Sequence, residues 1–141
     1  MTDELELDQV AQTAGLPPGT LRYVGEARAE APTIHALWYD EQQMVEQIGA
    51  RLDEAVAPPQ GGRVLWLDIA GVHEVSLVEA VGQRFGLHPL VMEDILNTAE
   101  RPKLDDLGDA LYLVLKSLYY DSQQDEVVDE QISLVLGRGY V

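Results

Sequence analysis

The segment Phe85–Lys103 brings more turn and helix-boundary signals together than any other part of this 141-residue chain. Gly86 suits the left-handed position that follows the end of a helix, and Pro89 suits the first position of the next helix. Pro102 is a second proline that suits the first position of a helix, and it follows a short polar loop. The segment therefore predicts a helix that ends before Gly86, a second helix over 89–97, and a third, brief helix that begins at Pro102.

The hydrophobic pattern predicts the other elements, because β-branched and aromatic runs favour strands and apolar residues three or four positions apart favour helices. A turn at 41–43 and a loop at 57–62 separate some of them. In chain order the predicted elements are strands over 20–25 and 33–40, an ambiguous segment over 44–50 that is compatible with a short strand, a short helix over 51–56, a strand over 63–69, helices over 77–85, 89–97 and 102–107, and strands over 110–120 and 127–136.

Three of these segments indicate the fold class. Arg63–Ile69 is a nearly continuous apolar run, which suits a strand buried on both faces of an α/β sheet. Ser76 and Glu79 form a capping-box pattern that would open the following helix. The strands over 110–120 and 127–136 would pair antiparallel across an acidic loop. We therefore predict an α/β fold with a mixed parallel and antiparallel sheet flanked by helices.

The last residues of the sequence resemble the start of another strand. Gly137–Gly139 has the composition of a hairpin turn, and Tyr140–Val141 would open a strand after it. A natural domain rarely halts two residues into a strand. We therefore expect the polypeptide to be a piece of a longer protein.

Composition restricts the classes of function. The net charge is −16, which disfavours nucleic acids and anionic membrane surfaces as partners and favours cations or basic proteins. Simple solubility, or adaptation to a salty cytoplasm, would explain the charge equally well. The chain has no cysteine, which excludes disulfides, thiolate zinc sites and cysteine nucleophiles. It has neither a signal peptide nor an apolar run of the roughly 18 to 20 residues that a membrane span requires, so we expect this fragment to be soluble and cytosolic.

The predicted helix over 89–97 carries the candidate metal site. At about 100° per residue, Glu93, Asp94 and Asn97 fall on one edge of this helix, opposite its apolar face. Oxygen ligands are what magnesium requires, and one or two carboxylates suffice because the ion keeps most of its water. Two carboxylates on one helix do not complete a site, so further oxygens must come from elsewhere. An ordinary solvated helix face remains the alternative.

Other acidic residues have simpler explanations. Asp105 and Asp106 would lie early in the brief helix that begins at Pro102, where the helix dipole favours negative charge. The acidic segment 121–130 lacks the residue order of a calcium-binding loop. Asp68 ends a predicted buried strand, a common place for catalytic groups, but no phosphate-binding loop or nucleophile–base pair accompanies it. We therefore predict that the chain is not an enzyme.

The block HPLVMEDILNTAERPK, at 88–103, closely resembles the cytoplasmic domain of the CorA family of magnesium and cobalt transporters. The resemblance extends in order along nearly the whole chain. Further segments that carry it are GLPPGT at 15–20, WLDIAGVH at 66–73, YLVLKSLYYD at 112–121 and EQISLVLGRGYV at 130–141.

The resemblance implies that residues 1–141 form an N-terminal cytoplasmic regulatory domain, an α/β/α sandwich at the inner face of the cell membrane. It also implies a homopentameric channel whose stalk helix, two membrane helices and Gly-Met-Asn signature follow in the full-length protein. Glu93 and Asp94 would bind regulatory Mg2+ at the contact with a neighbouring subunit, weakly in this fragment, because the partner carboxylates lie on the stalk helix.

Three alternatives remain open at this stage. The first is the soluble domain of a related zinc transporter, which has a similar fold. The second is an acidic interaction module without ion chemistry. The third is a soluble hydrolase or nucleotide-binding enzyme that uses Asp68, for which a phosphate loop or a nucleophile would be required.

Overall fold

The computed structural model describes residues 15–26, 30–56 and 62–141. The predicted loop at 57–62 lies outside this range except for Gly62. The elements, in chain order, are β1 (Thr33–Tyr39), β2 (Met44–Ile48), α1 (Leu52–Ala55), β3 (Val64–Ala70), α2 (Val75–Phe85), α3 (Pro89–Leu96), β4 (Lys103–Asp106), β5 (Leu111–Asp121) and β6 (Glu126–Leu136). In this described part of the chain, no helix combines the length and apolarity needed to span a membrane.

The first sheet has the strand order β2-β1-β3, with both pairs antiparallel. Alternate residues of β1 are buried, namely Ile34, Ala36 and Trp38, and they form a core with Leu65 of β3. The described residues leave the other face of the sheet open, and Trp66 on that face is 44% exposed. Because β3 is covered on one side only, the prediction that Arg63–Ile69 is buried on both faces is wrong.

The second sheet has the order β4-β5-β6 and is also antiparallel. Its longest pairing is between β5 and β6. The pairing runs from Leu111 opposite Leu136 to Asp121 opposite Glu126, which confirms the predicted hairpin. One face buries Tyr112 and Val114 completely, in a cluster with Val91 of α3. This packing places α3 directly on the sheet.

The opposite face of the second sheet is apolar and uncovered in the described structure. The pairing register puts residues of all three strands on this face. Its exposed members are Leu104 (62%), Leu111 (38%), Leu115 (39%), Ile132 (40%) and Leu136 (50%). We refer to these five residues as the open apolar face.

The predicted α/β class agrees with the structure, but the two finer predictions are not confirmed. All pairs between the named strands are antiparallel. Among the described residues, parallel pairing occurs only as isolated bridges, Val24 with Asn97 and Leu65 with Tyr140. The second bridge lies where the sequence predicts the opening of a strand. There the Val141 amide donates to the Leu65 carbonyl at 2.8 Å, and the Leu67 amide donates to the Val141 carbonyl at 2.8 Å. The α/β/α sandwich is likewise not confirmed.

Two predicted elements are wrong because tertiary pairing, and not local preference, decides whether a strand forms. Thr20–Gly25 is not a strand, since its only bridge joins Val24 to Asn97. The brief helix predicted over Pro102–Leu107 is instead the edge strand β4, which pairs with β5. The open edge of β5 offers a row of backbone partners, and a helix would leave that edge unpaired.

The helix boundaries are a mixture of confirmed and wrong predictions. Gly86 ends α2 with φ of 67°, as predicted, and Pro89 occupies the first turn of α3. The His88 ring accepts a hydrogen bond from the Leu90 amide at 3.2 Å, so it caps α3. The predicted capping box is wrong. Glu74 and not Ser76 holds the N-cap position of α2, its side chain makes no capping hydrogen bond, and the Ser76 hydroxyl donates to the Glu74 side chain at 2.6 Å.

Candidate functional site

Helix α3 holds the candidate metal ligands between its buried face and solvent. Val91, Met92 and Leu96 are buried, the first against the second sheet and the other two against Val78 of α2. Glu93 and Asp94 lie between these residues in sequence and are half-buried. We call these two residues the acidic ledge. Because three buried side chains anchor so short a helix, the backbone that carries the two carboxylates is held in place.

Glu93 is held by a residue 74 positions away in sequence. The Gly19 amide donates a hydrogen bond of 2.7 Å to Glu93 Oε2. Gly19 has φ of 82°, a left-handed conformation that favours glycine, and a Cβ at this position would lie 2.9 Å from the Pro89 Cβ. The turn that contains Gly19 therefore lies directly on the first turn of α3.

Asp94 is held by a charge on the neighbouring strand. Lys103 Nζ at the start of β4 donates to Asp94 Oδ2 at 2.6 Å, and the same ammonium lies 3.5 Å from Asp105 Oδ2 and 4.0 Å from Glu100 Oε2. Burial lowers the pKa of Lys103, but its hydrogen bond to Asp94 and the three carboxylate charges outweigh that effect and raise the pKa above its ordinary value. Lys103 is therefore a permanent cation beside the acidic ledge.

The loop after α3 is fixed by contacts from two directions. The Val24 amide donates to the Leu96 carbonyl at 2.9 Å, and the Thr98 amide donates back to the Val24 carbonyl at 2.9 Å. Gln131 of β6 donates to the Asn97 carbonyl at 3.0 Å. The bonds to the Leu96 and Asn97 carbonyls satisfy groups that a helix end leaves without partners, so they stabilise the end of α3.

Asn97 does not join the acidic ledge as an oxygen donor. It follows the last residue of α3 in an extended conformation, with φ of −94° and ψ of 96°. Its amide nitrogen donates to Glu100 at 2.6 Å, and its amide oxygen accepts from the Ala99 amide at 3.3 Å. The prediction that three oxygen-bearing side chains share one helix edge is therefore wrong for Asn97.

The acidic ledge offers incomplete coordination for a metal ion. Glu93 Oε1 and Asp94 Oδ1 have no hydrogen-bond partner among the described residues, while the second oxygen of each carboxylate is engaged. Within residues 15–26, 30–56 and 62–141, no group of three or more His, Cys, Asp or Glu side chains is arranged to hold a metal ion. The two free oxygens could contribute to a site that water or another polypeptide completes.

The remaining acidic candidates make local or solvent-exposed contacts. Asp106 accepts from the Gly108 amide at 2.8 Å in the turn after β4, and Asp105 faces Lys103, so neither residue lies in the helix predicted for them. Asp121 accepts from the Gln123 amide at 2.8 Å at the start of the hairpin loop. These carboxylates stabilise turns and ion pairs.

Asp68 does not lie at the end of a parallel strand. It is exposed within β3, opposite His35 of β1 in an antiparallel pair. His35 itself contacts Glu46 at 2.8 Å. The position of Asp68 therefore gives no support to the enzyme alternative, which depended on the carboxyl edge of an α/β sheet.

Sequence reasoning assigned no role to Gly19 or Lys103, the two residues that hold the acidic ledge. The only signal for Gly19 is its place in the Pro-Pro-Gly-Thr turn, which predicts a turn and not its docking partner. Lys103 lies nine positions after Asp94, outside helical spacing. Both contacts arise from the tertiary fold.

Comparison with known proteins identifies the family. Residues 61–141 match the family model described as CorA-like Mg2+ transporter protein. The cobalt/magnesium transport protein CorA of Thermotoga maritima is 34% identical over 137 residues, which cover 97% of this chain. The chain spans 39% of the length of that relative. On the extent of both matches, this chain belongs to the CorA-like Mg2+ transporter family.

Proposed function

We propose that this chain is the cytoplasmic Mg2+-sensing and gating domain of a CorA-type channel for divalent cations. The observation that carries the proposal is the acidic ledge, two adjacent carboxylates fixed on a short helix, each with one oxygen free of partners among the described residues. Membership in a family of Mg2+ transporters, and a relative named for cobalt and magnesium transport, support the choice of cation.

The proposed mechanism follows from charge. Neighbouring domains that each carry a net charge of −16 repel one another at close contact. A divalent cation between the acidic ledge of one domain and carboxylates of the next would offset that repulsion locally, where screening by salt is weak. Bound Mg2+ would therefore hold neighbouring subunits together and keep the pore shut. When cytosolic Mg2+ falls, the ion leaves, the subunits separate and the pore opens.

We further propose that residues 1–141 are the N-terminal part of a homopentameric membrane protein, with this domain on the cytoplasmic face. The relative is much longer than this chain, which supports the presence of further segments in the whole protein. The open apolar face supports the proposed α/β/α sandwich, since a second helical layer would bury leucines such as Leu104 and Leu136, which are 62% and 50% exposed. In this arrangement α3 and α2 form the first layer.

Cation flux through the full-length protein tests the sensor. Glu93→Gln with Asp94→Asn removes both charges and keeps the size of the side chains. We expect the double variant to require roughly tenfold more internal Mg2+ for half-inhibition of flux, because hard cations bind carboxylates far better than amides. The matched control is Asp53→Asn with Glu54→Gln, an adjacent acidic pair on the short helix α1. Equal inhibition of the wild type and the ledge variant would contradict the proposal.

The two other binding functions have less support. Zinc sites draw on histidine and cysteine, whereas the acidic ledge offers carboxylate oxygens, and the chain contains no cysteine. An interaction module without ion chemistry would not require two fixed carboxylates with free oxygens. Flux measured with Zn2+ in place of Mg2+ separates the first alternative from the proposal.

A further inference from the structure

We propose that Lys103 is a built-in competitor of the divalent cation at Asp94 and sets the Mg2+ concentration to which the sensor responds. This inference rests on the proposed function, because it concerns the affinity of the same acidic ledge. It starts from the contact between Lys103 Nζ and Asp94 Oδ2, which at 2.6 Å is the shortest ion pair in the described structure.

The position of this ammonium is set by the fold. Lys103 is the first residue of β4 and pairs with Val114 of β5, a completely buried residue in the middle of the second sheet. The Lys103 ammonium also lies 5.6 Å from the centre of the Tyr112 ring, within the range of a cation–π contact. Only 32% of its side chain is exposed. A backbone ladder and an aromatic ring therefore direct the charge toward α3, unlike a mobile lysine on an open surface.

A divalent cation at Asp94 would meet this ammonium in either of two arrangements. If the cation takes the engaged oxygen, Oδ2, it must displace Lys103. If it takes the free oxygen, Oδ1, it lies within a few ångströms of a like charge. Repulsion or lost pairing lowers the affinity for Mg2+ in both arrangements.

Displacement of Lys103 is reversible because other acceptors lie close by. Asp105 Oδ2 and Glu100 Oε2 are 3.5 and 4.0 Å from the same ammonium, so a small movement of the side chain exchanges one carboxylate for another. Lys103 would therefore keep a partner while Asp94 holds the cation. The arrangement weakens cation binding without leaving a half-buried charge alone.

Mg2+ titration of this chain by calorimetry, at constant ionic strength, tests the inference. Lys103→Met keeps the aliphatic stem beside Tyr112 and removes the charge. We expect it to bind Mg2+ about tenfold more tightly than the wild type, whose binding we expect to be weak, with a dissociation constant of order millimolar. Lys103→Arg keeps the charge and should bind no more tightly than the wild type. Arg51→Met, which removes a positive charge from an exposed pair with Asp53, controls for net charge and should match the wild type.

Two further measurements decide the remaining outcomes. Adding Asp94→Asn to Lys103→Met should abolish the gain in affinity, because the gain depends on the Asp94 carboxylate. Thermal unfolding checks that each variant is folded, and Lys103→Gln replaces Lys103→Met if the latter is not. Unchanged or weaker Mg2+ binding after loss of the Lys103 charge, or no Mg2+ binding at all, would overturn the inference.

The titration tests the role of Lys103 and the flux assay tests the sensor, so each proposal can fail without the other. If Lys103→Met binds as the wild type does while the ledge variant still loses inhibition by internal Mg2+, the sensor stands and the role of Lys103 falls. If Lys103→Met binds more tightly while the ledge variant keeps normal inhibition, Lys103 does weaken cation binding at Asp94, but that binding does not gate the channel.

Discussion

The acidic ledge and the distal end of the β5–β6 hairpin are both acidic in sequence but differ in how their charges are held. Glu93 and Asp94 contact residues 74 and 9 positions away. In the segment Leu118–Val127, which we call the hairpin arm, Asp121 accepts from amides two and three positions away, and Asp125 accepts from the hydroxyl of Tyr120. The contrast teaches that an acidic sequence marks a candidate binding surface only where distant parts of the chain fix the carboxylates.

The acidic ledge and the hairpin arm also differ in how deeply their apolar residues are buried. Leu96 and Tyr112, beneath the acidic ledge, are completely buried, whereas Leu118 and Val127 on the hairpin arm are each 68% exposed. Since the free energy of folding comes largely from buried apolar surface, the ledge region should dominate stability and the arm should contribute little. Two comparisons between matched substitutions test this division, and a third tests the contact between the Gly19 turn and α3.

The largest expected effect is on the free energy of unfolding in Leu96→Ala. This change leaves a cavity between α3 and α2, and we expect a loss of roughly 3 kcal/mol, as for other buried leucines. Leu118→Ala makes the same chemical change on the hairpin arm and should cost less than about 0.5 kcal/mol. Urea unfolding of both variants measures the difference. Similar losses from the two substitutions would break the division.

The second comparison is between Tyr112 and Tyr120 and concerns the loss of stability at alkaline pH. Burial raises the pKa of Tyr112 to about 12, although its hydrogen bond to Ser133 acts against this shift. Because the folded-state pKa lies above the value of about 10 in the unfolded chain, the contribution of Tyr112 to stability is complete below pH ~10 and is lost as pH rises through ~12. The loss should approach roughly 2 to 3 kcal/mol.

Tyr112→Phe should therefore lose less stability than the wild type between pH ~10 and ~12. Tyr120→Phe is the matched control on the hairpin arm. The hydrogen bond to Asp125 raises the pKa of Tyr120, but this residue is exposed. Because solvent screens this exposed hydrogen bond, Tyr120→Phe should alter the pH dependence much less than Tyr112→Phe does. Urea unfolding at several alkaline pH values provides the test, and identical curves for wild type and Tyr112→Phe would show that Tyr112 ionises without cost to the fold.

The smallest expected effect is the difference in free energy of unfolding between Gly19→Ala and Gly108→Ala. Both glycines have a left-handed conformation, with φ of 82° and 85°. An added methyl group at Gly108 meets nothing within 4 Å, so only the backbone strain of about 1 kcal/mol applies. At Gly19 the methyl group also collides with Pro89, so we expect a loss of roughly 2 kcal/mol. Equal losses in thermal or urea unfolding would show that the Gly19 turn does not press on α3.

The sequence predicts features that depend on near neighbours. Gly86 and Pro89 act within one helical turn, and the β5–β6 hairpin joins consecutive strands, so local chemistry was sufficient to find them. The strand β4 was missed because β5, not the residues after Pro102, decides its conformation. The sequence identified the two carboxylates of the ledge but not their partners, since Gly19 and Lys103 approach Glu93 and Asp94 only through the tertiary fold.

Cation binding at the acidic ledge is tested most directly by anomalous X-ray diffraction from crystals of the full-length protein grown with Co2+, a divalent cation that its relative is named for transporting. We expect a cobalt peak beside Glu93 and Asp94, with the ion bound directly or through one layer of water and shared with a neighbouring subunit. Cobalt peaks elsewhere, with the Glu93 side chain still on the Gly19 amide and no metal near Asp94, would contradict it.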